Sequence, residues 1–166
     1  MKRILLLIVV GITLISCSVN SPKMFSDKAL NDVFITLDGA KKPFKNILEE
    51  HKGEKILVDV WASWCSDCLK SLPELKKIQQ DFPDVQYMYL SLDRNQEDWK
   101  FAVNRLQLKG SHYFMQSGWE GDFGSFLNLN WIPRFLIVDE KGEITLFKAT
   151  KSTDKLIRKT LINNVN

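Results

Sequence analysis

The chain has 166 residues, 45% of them hydrophobic and 26% charged, with a formal charge of +3 and three cysteines. That length suits one domain with at most a tail, and the balance of apolar and charged residues argues against long disorder. Three cysteines and two histidines, His51 and His112, exclude a disulfide-dense scaffold and a four-cysteine zinc site.

Lys2 and Arg3 precede Ile4 to Ile15, a run that is apolar except for Gly11 and Thr13, and Ser16 and Cys17 follow. A basic start, a short apolar stretch and a small residue are the marks of a secretory signal over residues 1–16. The run is too short for a membrane-spanning helix, which needs about 20 apolar residues. Leu14-Ile15-Ser16-Cys17 resembles the lipobox of bacterial lipoproteins. That resemblance implies cleavage before Cys17 and a lipid on its sulfur, holding the protein on a membrane of the bacterial envelope. Losing residues 1–16 removes two of the 23 basic residues and none of the 20 acidic ones, which lowers the charge from +3 to +1. A nearly neutral protein lacks the basic face that nucleic acid requires.

Residues 17–29 read as a tether and 30–166 as the domain. Val33 to Leu37 is β-rich and ends at the turn signal Asp38-Gly39. Phe44 to Glu50 has helical spacing. Lys55 to Trp61 is apolar on both faces, as in a central strand covered by helices. From Cys68 onward, Leu69, Leu72, Leu75, Ile78 and Phe82 mark one face of a helix, with Pro73 expected to kink it. Val85 to Leu92 is a second buried strand, and Glu97 to Leu106 a helix. Residues 107–131 are broken by glycines, with Asp122 to Leu129 as one short helix. Arg134 to Val138 is a strand, residues 139–142 a hairpin turn, and Glu143 to Phe147 its partner. A last helix covers Thr153 to Ile162, capped by Ser152 or Thr153. This order predicts an α/β fold, a central mixed sheet flanked by helices.

Trp64-Cys65-Ser66-Asp67-Cys68 falls where a buried strand passes into a helix. Cys65 then sits beside a helix N-terminus, where unpaired N–H groups and the dipole favour a thiolate. Cys68 is one turn along, within reach of a mixed disulfide formed on Cys65. Cys65 is the candidate nucleophile and Cys68 the resolving thiol. Two other readings use the same pair. A Cu(I)-binding, metallochaperone-like module would hold soft metal between the sulfurs but lacks helper ligands. A structural disulfide over so short a loop would restrain little of the unfolded chain.

Residues 58–68, Val-Asp-Val-Trp-Ala-Ser-Trp-Cys-Ser-Asp-Cys, with Pro73-Glu74-Leu75 after them, resemble the active-site segment of the thioredoxin superfamily, and most of all the TlpA/ResA-like thiol-disulfide oxidoreductases. Ile132-Pro133 before a strand, and a long segment between Asp93 and Trp131, are similar to that group's cis-proline and insertion. The resemblance implies a thioredoxin-like fold with a TlpA-like insertion, and disulfide exchange without metal or organic cofactor. It also implies protein thiol or disulfide substrates, a membrane redox partner, and a periplasm-facing monomer. By the same resemblance, Asp59 is the buried acid that assists proton transfer at Cys68. Pro133 and the Ile132 backbone face the cysteines and the substrate. Trp64 flanks the site, and Ser66-Asp67 replaces the Gly-Pro of thioredoxin. Asp67 beside Cys65 opposes the thiolate, which favours a reducing protein, unless water screens the charge. An arginine beside the proline could lower the thiolate pKa or bind an acidic substrate, but Arg134 is expected to point outward from its strand.

Overall fold

The computed structural model describes residues 21–163. The signal segment and Cys17 lie outside the described residues. In chain order the elements are α1 (Asp27–Asn31), β1 (Val33–Thr36), β2 (Lys41–Pro43), α2 (Phe44–Glu50), β3 (Ile56–Trp61), α3 (Ser66–Asp81), β4 (Gln86–Ser91), α4 (Gln96–Leu106), β5 (Ser111–Phe114), α5 (Asp122–Phe126), β6 (Arg134–Val138), β7 (Ile144–Ala149) and α6 (Lys155–Ile162). The strands form one mixed sheet in the order β2-β1-β5-β4-β3-β6-β7. β3, β4 and β5 run parallel, and the other pairs are antiparallel. This is the thioredoxin-like α/β arrangement implied by the sequence.

β3 is buried at all six positions because helices cover both of its faces. Alternation along the strand puts Leu57, Asp59 and Trp61 on one face and Ile56, Val58 and Val60 on the other. α3 covers the Asp59 face: the Tyr87 hydroxyl donates to the Ile78 carbonyl at 3.1 Å, and Gln79 Nε2 donates to Tyr89 Oη at 3.3 Å. The crossovers through α3 and α4 step the same way across the sheet, so their common handedness places both helices on one side. Trp99 of α4 accordingly packs against Phe114, with ring centroids 5.7 Å apart. α6 lies beside α3, where Arg158 reaches Glu74 at 3.1 Å and Asp81 at 2.6 Å. The opposite face is filled by Phe25, Phe34, Phe44 and Phe123, joined by edge and stacked ring contacts.

Several expectations change. The domain starts before residue 30. Phe25 is buried against Phe44, Phe123 and Phe126, and the Lys23 carbonyl accepts from Ile144 N, so the tether does not extend to residue 29. β5 lies in the glycine-broken stretch that suggested no strand. Its position between β1 and β4 supplies the hydrogen bonds that its own short sequence does not advertise. Gly110, with φ at 142°, precedes it, and a Cβ there would stand 2.2 Å from the Tyr87 carbonyl oxygen. α3 is continuous through Pro73 to Asp81, held by buried Leu72, Leu75 and Ile78. α5 stops at Phe126, two residues before Asn128 turns left-handed. α6 starts later than predicted, and Asp154 is its cap, accepting from Leu156 N at 2.9 Å.

The placement of Phe25 can be checked by truncation. Phe25→Ala should cost about 3 kcal/mol in denaturant unfolding, the usual scale for emptying an aromatic core site. A loss below about 0.5 kcal/mol, the range of surface substitutions, would return this segment to the tether.

Candidate functional site

The site is built at the carboxyl ends of β3 and β4. After β3 the chain turns through Ala62 and Ser63, with Cys65 N donating to the Ala62 carbonyl at 3.1 Å. The turn is held from the next strand by Asp93. Its Oδ1 accepts from Ser63 N at 3.0 Å and from Ser63 Oγ at 2.6 Å, and its Oδ2 accepts from Ser91 Oγ at 2.8 Å. Asp93 is buried, and a buried carboxylate satisfied by several donors holds its geometry firmly. Sequence reading ended the second buried strand at Leu92 and gave Asp93 no role. The available signal was an acid at the carboxyl end of the strand beside the one that carries the cysteines.

That turn delivers Cys65 to the N-cap of α3, where its Sγ accepts from Cys68 N at 3.1 Å. Cys65 and Cys68 form a disulfide with Cα atoms 5.2 Å apart. Cys65 Sγ lies 3.7 Å from the Ile132 carbonyl oxygen, and the Ile132–Pro133 peptide is cis. The two cysteines differ in access. Cys65 lines an open cleft of about 280 Å³ with Trp64, Trp119 and Trp131, whereas Cys68 is not among its walls. Trp61 is core, while Trp64 is half exposed. Ser66 and Asp67 are exposed. Asp67 faces Lys70 at 3.3 Å, so solvent and a counter-charge both weaken its effect on Cys65.

Asp59 is buried on the α3 side of β3, and its Oδ1 has no hydrogen-bond partner among the described residues. Desolvation pushes its carboxyl up to about 8. Tyr89 is its register neighbour on β4. The Tyr89 phenol is itself raised, chiefly by burial and then by the nearby Asp59 charge. Thus the strand that pairs with Asp59 brings it a neutral aromatic rather than a cation.

Arg134 does not point outward. β6 is covered on both faces, and the guanidinium is fully buried, with Nη1 donating to the Leu127 carbonyl at 2.7 Å. It therefore ties the end of the 107–131 segment to the strand that follows Pro133. Neither histidine lines the cleft: His51 pairs with Glu54 at 2.9 Å, and His112 stacks on Tyr89. Among the described residues no group of three or more His, Cys, Asp or Glu side chains is placed to hold a metal. A metal at this site would rest on Cys65 and Cys68 alone.

Residues 53–144 match the family described as Thioredoxin-like. The chain is 30% identical over 146 residues to the thiol:disulfide interchange protein DsbE of Haemophilus influenzae, covering 81% of this chain and 76% of that protein. It is 26% identical over 121 residues to the thioredoxin-like protein YneN of Bacillus subtilis, covering 70% and 69%. In structure it is similar to the thioredoxin domain of a thiol-disulfide oxidoreductase from Bacteroides vulgatus. That match has a TM-score of 0.64 and 26% identity, over 78% of this chain and 91% of the other.

The raised Asp59 carboxyl has a sign that can be measured. In the unfolded chain this group ionises near pH 4, and in the folded chain only near 8. Between these values unfolding releases a proton, so stability falls as pH rises, by at most about 1.4 kcal/mol per pH unit. Asp59→Asn removes this titration. The variant should gain on the parent steadily between pH 5 and 8 in denaturant unfolding and hold a constant lead above pH 9. Parallel pH profiles would show that Asp59 is not held neutral.

Proposed function

We propose, from the premise that this chain belongs to the thioredoxin-like family and is a thiol-disulfide oxidoreductase, that it reduces disulfides of bacterial envelope proteins while anchored to a membrane through Cys17. The observation that carries this reading is the Cys65–Cys68 disulfide at the N-cap of α3, with Cys65 opening onto the cleft beside the cis Ile132–Pro133 peptide.

In the reduced enzyme the Cys65 thiolate attacks one sulfur of a substrate disulfide. A Cys65–substrate disulfide forms, and the displaced substrate thiolate takes a proton from solvent. Cys68 gives its proton to Asp59 in its ionised form, and the Cys68 thiolate attacks Cys65 Sγ. The second substrate thiolate leaves and is protonated in turn. Two electrons have passed to the substrate, and the enzyme is left with the disulfide seen in the structure. The N–H of Cys68 and the helix N-terminus favour the Cys65 thiolate, and Asp59 is tuned near neutral pH for proton traffic. Ser66, Asp67 and Trp64 frame the nucleophile. Pro133 and the Ile132 backbone lie beside it, where an extended substrate segment can pair.

Support for the reducing direction is the charge of Asp67 next to Cys65, in a form reduced by Lys70 and solvent. The envelope assignment rests on residues 1–17, read from sequence. Among the described residues no helix is long and apolar enough to cross a membrane; the lipobox-like Leu14-Ile15-Ser16-Cys17 makes a lipid on Cys17 the proposed anchor. A membrane reductase would restore the dithiol, and envelope proteins with paired cysteines, apocytochromes c among them, are the proposed substrates.

Three measurements test the reading. Cys68→Ser in cells should accumulate mixed disulfides through Cys65 with envelope proteins, which non-reducing gels and mass spectrometry would identify, and Cys17→Ser should move the protein from the membrane to the soluble fraction. An absence of trapped partners, or an unchanged membrane fraction, would overturn the respective half. Equilibration with glutathione should give a potential of about −200 to −270 mV, and a value near −120 mV would make the protein an oxidant.

A further inference from the structure

Beside Cys65 the cleft is walled by three tryptophans from separate parts of the chain: Trp64 before the nucleophile, Trp131 before Ile132, and Trp119 from the segment between β5 and α5. Trp64 is 51% exposed and Trp131 56%. Large apolar side chains clustered in water around a reactive sulfur are a binding surface rather than core. Trp119 is held at the cleft by its loop. Asp32 Oδ2, at the end of α1, accepts from Ser117 Oγ and from Phe123 N, each at 2.8 Å. A Cβ on Gly124 would stand 2.2 Å from the Trp119 carbonyl oxygen, and one on Gly121 would stand 2.3 Å from Ser117 Cβ. The loop closes this tightly only because those positions are glycine. The pocket wall is therefore formed before any ligand arrives, which spares a ligand the cost of ordering it.

On the far side of Trp131 lies a second cleft, about 490 Å³, lined by Lys70, Lys151, Thr150, Thr153 and Pro133. Trp131 and Asp67 border both clefts, so the two adjoin across the ridge that Trp131 makes. Two ammonium groups against the single Asp67 carboxylate leave this second cleft net positive. A chain lying along Ile132 with its cysteine at Cys65 would thus have an aromatic socket on one side and a cationic shelf on the other.

We propose that Trp119 completes an aromatic socket, and Lys151 a cationic shelf, that together select extended substrate segments carrying a large apolar residue on one side of the reactive cysteine and an acidic residue on the other. This selectivity rests on the oxidoreductase reading above and specifies its substrate class. Burying an aromatic ring in the socket should raise kcat/KM about tenfold over glycine at the same place.

The full reduced chain can be assayed with short peptide disulfides that vary only in these flanks. Phenylalanine should beat glycine by about tenfold, and glutamate should beat lysine on the opposite flank. Trp119→Ala should reduce the phenylalanine preference to below about threefold, and Trp119→Phe should restore most of it. Gly124→Ala, which touches no ligand, should also blunt it by displacing the Trp119 backbone. Lys151→Glu should reverse the glutamate–lysine preference. Equal rates for phenylalanine and glycine peptides in the parent, or an undiminished preference in Trp119→Ala, would overturn the socket. An unchanged glutamate preference in Lys151→Glu would overturn the shelf. Hydroxyethyl disulfide separates the two levels: if the parent reduces it but shows no flank preference, the selectivity fails alone, and if it reduces no disulfide, the oxidoreductase reading fails.

Discussion

The carboxylate of Asp93 is the constraint on which the reactive geometry depends. It is buried at the end of one parallel strand and gathers the backbone and hydroxyl of Ser63 and the hydroxyl of Ser91. Two residues beyond Ser63 the chain must offer Cys65 as the cap of α3, close to the Ile132 carbonyl. If the Ser63 turn drifted, the sulfur would lose both the helix N-terminus that stabilises its anion and its place at the cleft. Leaving those donors unsatisfied would cost about 1–3 kcal/mol each, and the misplacement would harm reactivity further. The pairing of β3 with β4 holds the two ends of this link in register.

Asp59 shows the opposite use of burial. Asp93 is buried and satisfied. Asp59 is buried with an oxygen left bare, and desolvation pushes its carboxyl up to about 8. Such a group destabilises the fold once it ionises, and its proton becomes exchangeable in the range where thiols work. Tyr89 beside it adds no positive charge that would pull the carboxyl back down.

The cysteine pair, the strands around it and the proline loop were legible because each is local. A buried strand, a Cys-x-x-Cys at a helix start and an Ile-Pro before a strand can be read within a few residues. Residues whose role lies in distant contacts were not. Arg134 was expected to point outward, but β6 is covered on both faces and the guanidinium turns to Leu127. β5 was hidden because its pairing partners lie far away in sequence on β1 and β4. Trp119 lay in an unreadable glycine-rich stretch, and only the glycine-to-backbone approaches show why those glycines are there. Phe25 was taken for tether because no nearby periodicity announces a single aromatic that plugs a gap between helices.

The docking of Phe25 also fixes a length. From Cys17 to Phe25 there are eight peptide steps, which fully extended reach about 26–29 Å. With a lipid on Cys17, the folded body would be leashed within about one bilayer thickness of the surface. A tether running to residue 29 would add four more steps, or about half as much reach again. On such a lipid leash the catalytic cleft would sweep a thin layer above the membrane. Its clients would be met where they emerge from or rest on that same membrane, at a high local concentration set by chain length.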